Sequence, residues 1–234
     1  MGRLVGHNII GFDIPYLLQW SSYQGLKVPN FLTPFSKQGR GRYYPDVFSD
    51  TMLIDGLGKY GEMISLDALS KAYNLSGKSG NGKYFYQMNR TDQIAYLTSD
   101  VELVQGIYRC QSYSYGLWKS EKCTMFDIET EPKATELIES LAPAFKPEKV
   151  KVGNLKDQDK IDAKIEDARS NHINSIVDKA GLNAKYSNPV AIGYHHAGDF
   201  DVSLDFADGD PKGMVERFWK ITGAIFGDMQ ENNL

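Results

Sequence analysis

The sequence predicts an α/β fold. Three observations lead there. Short apolar strands alternate with segments of helical period. A core strand over 123–128 runs straight into acidic residues. A hairpin with one apolar face follows it in the sequence.

With 41% hydrophobic and 24% charged residues, the 234-residue chain can fill one large core or two small ones. A net charge of −4 offers no global basic field. Cations bound at an acidic site would reverse the sign locally, so this charge does not exclude nucleic-acid binding. The two cysteines, Cys110 and Cys123, lack metal or redox spacing and read as free thiols of a reducing compartment. No long apolar run and no signal-peptide pattern occurs, so the expected location is cytoplasmic and no membrane partner is expected.

In chain order, Leu4-Val5-Gly6 open a short strand, and Gly6 and Gly11 supply the positive φ of a tight turn. Asp13 then caps a helix, with Pro15 in its first turn. The carboxyl end of a strand is also where α/β sheets place ligands. Residues 28–44 read as a loop whose Lys37, Arg40 and Arg42 could follow a phosphate backbone or simply be solvated. A strand over 47–54 and a short helix over 66–73 follow, the latter capped by Ser65 with Asp67 in its first turn.

Gly77-Lys78-Ser79-Gly80-Asn81-Gly82-Lys83-Tyr84 has the spacing of a phosphate-binding P-loop. Tyr84 stands where Ser or Thr should hold a cation, and the segment follows a helix instead of a strand, so it reads as a glycine-rich connector. The clearest helix covers 89–109, with Ile94, Leu97, Val101, Val104 and Tyr108 forming an apolar stripe. Tyr96 and Asp100, four apart, share a face beside that stripe. Residues 110–122 show no steady period and read as a connector.

On the strand over 123–128, alternation puts Asp127 and Glu129 on one face, about 7 Å apart. Two carboxylates at the end of a core strand are costly unless something positive stands between them, and a divalent cation with oxygen ligands suits that place. Taken alone, Asp-x-Glu more often marks a strand running into an acidic surface turn. A long charged helix is expected over 157–180, with Ile161, Ile165, Ala168, His172 and Ile176 on its apolar side and Gly181 as its stop. Residues 189–194 and 200–206 form the hairpin, turning at Gly198. The adjacent His195 and His196 point to opposite faces and cannot chelate one ion together. A last helix starts at Asp210-Pro211 and offers Met214, Val215, Phe218, Trp219, Ile221 and Phe226 to the core.

Several of these segments together resemble one family. Asp127-Ile128-Glu129-Thr130 resembles the first motif of the DEDD-type 3′–5′ exonucleases. Gly6-His7-Asn8 with Phe12-Asp13-Ile14-Pro15-Tyr16-Leu17 resembles the second, in the form found in the exonuclease domain of family B DNA polymerases. Tyr96-Leu97-Thr98-Ser99-Asp100 resembles the third, and Asp50-Thr51 and Ser65-Leu66-Asp67 resemble intervening segments. The resemblance covers nearly the whole chain. It implies a ribonuclease H-like α/β fold, a mixed central sheet flanked by helices, in a single domain over 1–234, with the second and third motifs in 1–109, a connector at 110–122, and the first motif, hairpin and last helix in 123–234. Ala95 stands where one subclass has His, which implies the tyrosine subclass.

The resemblance further implies a catalytic set of Asp127, Glu129, Asp13, Tyr96 and Asp100. The four carboxylates Asp127, Glu129, Asp13 and Asp100 would hold two divalent ions, Mg²⁺ or Mn²⁺, for hydrolysis at the 3′ ends of single-stranded DNA. Asn8, Phe12 and Thr130 are the candidates for contacting the terminal nucleotide, although Phe12 suits the core equally well. RNA is left open as a substrate, and a polymerase or replication partner is unassigned. The alternative is a catalytically inactive nucleic-acid-binding or scaffold protein on the same fold.

The motif order departs from the family, because the Asp-Ile-Glu motif comes third. Joining Leu234 to Gly2 would restore the usual order, so the chain resembles a circular permutant. A natural rearrangement, an engineered one, and a gene read across the joint of a circular record all fit that order.

Overall fold

The computed structural model describes residues 3–32, 48–56, 63–80, 82–115, 123–151, 153, 157–196 and 201–226. The basic loop with Lys37, Arg40 and Arg42, Asn81, residues 116–122 of the connector, the Gly198 turn and Phe200, and the side chain of Phe226 lie outside them. The chain divides into two compact units, Met1–Thr130 with Pro189–Leu234, and Glu131–Asn188.

The first unit is an α/β layer structure around an open, mixed, five-stranded sheet of order β2-β1-β3-β4-β5. Its strands are β1 (Arg3–Gly6), β2 (Phe48–Asp50), β3 (Cys123–Pro132), β4 (Ser187–His196) and β5 (Ser203–Phe206). β1 runs parallel to β2, with Leu4 opposite Phe48, and parallel to β3, with Leu4 opposite Thr124. β4 and β5 pair antiparallel, with Ala191 opposite Phe206. Parallel strands are covered on both faces, and Leu4 and Val5 are accordingly both buried.

Side-chain alternation along β3 assigns the two layers. Met125 packs with Val5, Val101, Val104 and Tyr108 on the face covered by the long helix α4 (Arg90–Tyr115) and the short helix α3 (Leu66–Ala72). Phe126 points the other way, its ring 5.1 Å from Phe218 on α7 (Pro211–Phe226). On that side the Trp219 indole donates to Ser21 Oγ at 3.0 Å, tying α7 to α1 (Asp13–Gln24). Gly193 lets α4 lie close against β4, since a Cβ there would fall 2.7 Å from Leu97 Cγ.

Several boundaries differ from the sequence expectation for local reasons. Among the described residues of the expected strand 47–54, only Phe48–Asp50 is strand. The Asp50 carboxylate accepts from Met52 N–H at 3.1 Å and starts helix α2 (Thr51–Asp55) at once. Helix α4 continues to Tyr115, through the first half of the expected connector, because Gln111 and Ser112 are buried and Gln111 Nε2 donates to the Thr51 carbonyl at 2.7 Å. Its apolar stripe begins at Leu97, as Ile94 is exposed. In the turn after β1, the left-handed residue is Asn8 (φ 61°), not Gly6 or Gly11. Asp13 is not the helix cap: Phe12 occupies that position without a side-chain bond, and Asp13 is the first helical residue. Ser65 caps α3 as expected, its hydroxyl accepting from Ala68 N–H.

The second unit comprises α5 (Thr135–Leu141), a 3₁₀ turn at Pro147–Lys149, α6 (Gln158–Val177) and a turn at Ala180–Leu182. Ile138, Ala180 and Tyr186 form its small core, with Leu141, Ile176 and Val177 against it. Asp157 caps α6 through the Asp159 amide, and no side chain of that helix is fully buried. Among the described residues no helix is long and apolar enough to cross a membrane.

Candidate metal centre

Alternation on β3 places Asp127 and Glu129 on the same face as Met125, the face that α4 covers. The four-residue step on α4 then sets Tyr96 one turn before Asp100, both buried. The result is a tight acidic triad. Carboxylate oxygens of Asp100, Asp127 and Glu129 all lie within 4.8 Å of one another.

The electrostatics of the triad are unfavourable without a positive partner. Burial, and then the charge of Asp100, pushes the Asp127 carboxyl up to about 7. Burial and the charge of Asp127 hold Glu129 well above the carboxylate range. Asp100 is raised by burial and pulled back by Lys78. The Tyr96 phenol is pushed up by burial and by the charges of Asp100 and Glu129, so it stays protonated.

Asp13 stands beside this triad instead of inside it. It is buried at the start of α1, and its carboxyl is raised by burial and then by the charge of Asp127, while the Ile128 amide donates to it. The turn that delivers it is built on Asp50. That buried carboxylate accepts from Asn8 N–H at 2.9 Å and from Ile10 N–H at 3.1 Å.

The candidate substrate contacts hold less decisive places. Asn8 shapes the turn with its left-handed backbone, its carbonyl accepting from Gly11 and Phe12. Phe12 is partly exposed and packs on Tyr16, with ring centroids 5.5 Å apart. Thr130 follows Glu129 on β3 and is half-buried. Phe12 and Thr130 are near the acids through chain adjacency, next to Asp13 and Glu129.

Sequence reasoning missed the group that closes the centre. Lys78, from the glycine-rich segment read as a connector, reaches Asp100 Oδ2 at 2.6 Å and lies 5.2 Å from the Tyr96 ring centroid. Gly82 of the same segment packs so closely that a Cβ would fall 2.9 Å from the Tyr96 hydroxyl and 3.2 Å from a Glu129 oxygen. The available signal was a lysine among glycines, in a segment of P-loop spacing.

The donor set fits a hard divalent cation: carboxylate oxygens only, clustered and desolvated. Asp100 Oδ1 supports that fit, being a buried oxygen without a hydrogen-bond partner among the described residues. The acidic cluster could thus hold a metal ion. His195 and His196 take no part: as alternation requires, they diverge, Nδ1 of the first meeting Gln105 and Nδ1 of the second meeting Thr124. Comparison with protein-family models, with known proteins and with solved structures gave no match.

Proposed function

We propose that this chain is a metal-dependent 3′–5′ exonuclease that hydrolyses phosphodiester bonds at the 3′ ends of single-stranded DNA, on a ribonuclease H-like fold of circularly permuted motif order. The observation that carries the reading is the convergence of Asp100, Asp127 and Glu129, from a helix and a strand far apart in sequence, within 4.8 Å. The sheet order, with β3 central between parallel β1 and the β4–β5 hairpin, supports the fold assignment.

In this reading Asp127, Glu129 and Asp100 hold the cations, with Asp13 at the side of Asp127. Cations bound there supply charge neutralisation at the scissile phosphate and a water of lowered pKa. The chain's own groups do the rest. Tyr96, held protonated, orients water by hydrogen bonding and does not serve as a base in its own right. Asp50 keeps the Asn8–Asp13 turn in place, and Phe12 offers a partly exposed ring on which a terminal base can stack with little sequence preference.

The test is stepwise shortening of a 5′-labelled single strand in Mg²⁺ or Mn²⁺. Shortening should vanish in chelator and fall by more than about a hundredfold in Asp127→Ala, since losing a ligand costs more than losing its neighbour. Undiminished shortening by Asp127→Ala sinks the reading.

Lys78 favours a second reading. Its ammonium already neutralises Asp100, so the acids could form a metal-free charge network in a protein that binds nucleic acid without cutting it. Calorimetric titration with Mn²⁺ separates the two, because a closed network takes up no ion.

A further inference from the structure

We propose that a groove in the second unit is a binding site for single-stranded nucleic acid, with a phosphate between Lys146 and Lys149 and a base against Phe145. The choice of polymer rests on the exonuclease reading above; the groove itself rests on separate observations. Where the 3₁₀ turn Pro147–Lys149 meets α6, a cavity of about 490 Å³ opens, lined by Phe145, Lys146, Lys149, Val150 and His172, with small Ala168 leaving its space free. That volume falls among small-ligand sites, roughly 300–1,000 Å³.

The lining has the two components that a single strand requires. One is flat and apolar: the Phe145 ring packs 5.8 Å from the His172 ring, which is itself held by a 3.1 Å bond from Nε2 to the Pro143 carbonyl. The Arg169 guanidinium stands 5.4 Å from the Phe145 centroid, and such a cation over an aromatic face is common where bases stack. The other component is positive. Lys146 and Lys149 bracket the 3₁₀ turn, and both line the cavity. Both are exposed, and among the described residues neither is ion-paired. No carboxylate lines the cavity. In a chain of net charge −4, a basic, acid-free recess with an aromatic wall selects a polyanion that also stacks.

The test measures binding of a 5′-fluorescent oligo(dT) dodecamer to the full chain in EDTA, where cleavage is suppressed, over a range of salt. The Lys146→Glu/Lys149→Glu double variant should weaken binding at least about tenfold and flatten the log–log salt slope by about 0.7, the value for the one phosphate held there. Phe145→Ala should weaken it about tenfold with the slope unchanged. Because Phe145 is half-buried, Phe145→Leu serves as a second variant; it keeps the packing and removes the stacking face, so binding should fall with the melting temperature held.

Cleavage of the dinucleotide TpT in Mg²⁺ reads the acidic centre separately and should be unaffected by the lysine variant. If the parent fails to cut TpT while the lysine and Phe145 variants still lose oligo(dT), the groove stands and the exonuclease reading fails. Affinities within twofold of the parent in both the lysine variant and Phe145→Leu overturn the groove. So does displacement of oligo(dT) by poly-glutamate at equal charge, which would make it a site for acidic peptides.

Discussion

Lys78 Nζ lies 2.6 Å from Asp100 Oδ2, joining a partly exposed ammonium to a carboxylate whose side chain is only 1% exposed. The glycine-rich segment thus delivers a positive charge to the acids that an incoming cation would need, and the two must compete.

Lys78→Met should therefore bind Mn²⁺ about tenfold more tightly by titration calorimetry, while the metal-free protein loses about 2–3 kcal/mol from leaving Asp100 unpaired. Weaker Mn²⁺ binding in that variant would show that Lys78 assists the ion instead of opposing it.

The raised carboxyls give a pH dependence of defined sign. Asp127 titrates near 7 in the folded chain, and Asp13 and Glu129 are raised as well, all chiefly by burial. The unfolded chain releases those protons by about pH 4–5. The folded state then binds more protons up to about pH 7 and above, so metal-free stability falls as pH rises through that window. His7 works oppositely below it: burial lowers its pKa to about 4, so its contribution is lost as pH falls from about 6.5. Comparing melting in EDTA at about pH 6.5 and pH 8 largely avoids His7 and should show the higher midpoint at the lower pH. Mg²⁺ should close the gap by displacing the protons. A metal-free midpoint that climbs with pH over this range contradicts the assignment.

Gly82→Ala inserts a methyl group 2.9 Å from the Tyr96 hydroxyl and 3.2 and 3.3 Å from the two Glu129 oxygens. Those neighbours are side-chain ends and can yield, so the melting temperature should change little. Strand shortening should nevertheless fall about tenfold to a hundredfold, because displacement by a fraction of an ångström is costly at a reacting centre. Parental activity would mean that this approach has no bearing on the chemistry.

Asp50 accepts from the amides of Asn8, Ile10 and Met52. Asp50→Ala strands these donors, two of them on buried residues, and should cost about 3 kcal/mol in urea unfolding. Asp50→Asn, which keeps a carbonyl acceptor, should cost about half that. A loss under about 1 kcal/mol for the alanine variant would mean that water or a neighbour replaces the carboxylate.

What could be read in the sequence follows from the range of the forces involved. The helices over 66–73 and 157–180 were legible because caps and period are local signals: Ser65 caps the first as read, and the period marks the second, which ends at Val177. The pairing of Asp127 with Glu129 was legible from alternation, and that of Tyr96 with Asp100 from the helical step. The end of α4 was not, because Gln111 is held by the Thr51 carbonyl sixty residues away and not by its neighbours. Asn8 took the left-handed turn position that glycines at 6 and 11 seemed made for, since Asp50 fixes the turn from another strand. Lys78 was invisible for the same reason: nothing in its own segment points to Asp100.

The bond from Trp219 to Ser21 spans 198 positions. Contacts of such long separation make folding slow, because loop entropy is lost before the contact rewards it. On a ribosome α1 would wait, the side that meets α7 uncovered, until a segment some 198 positions downstream had been made. Expression temperature and chaperone supply should thus govern the yield of folded material more than the stability of the finished fold does.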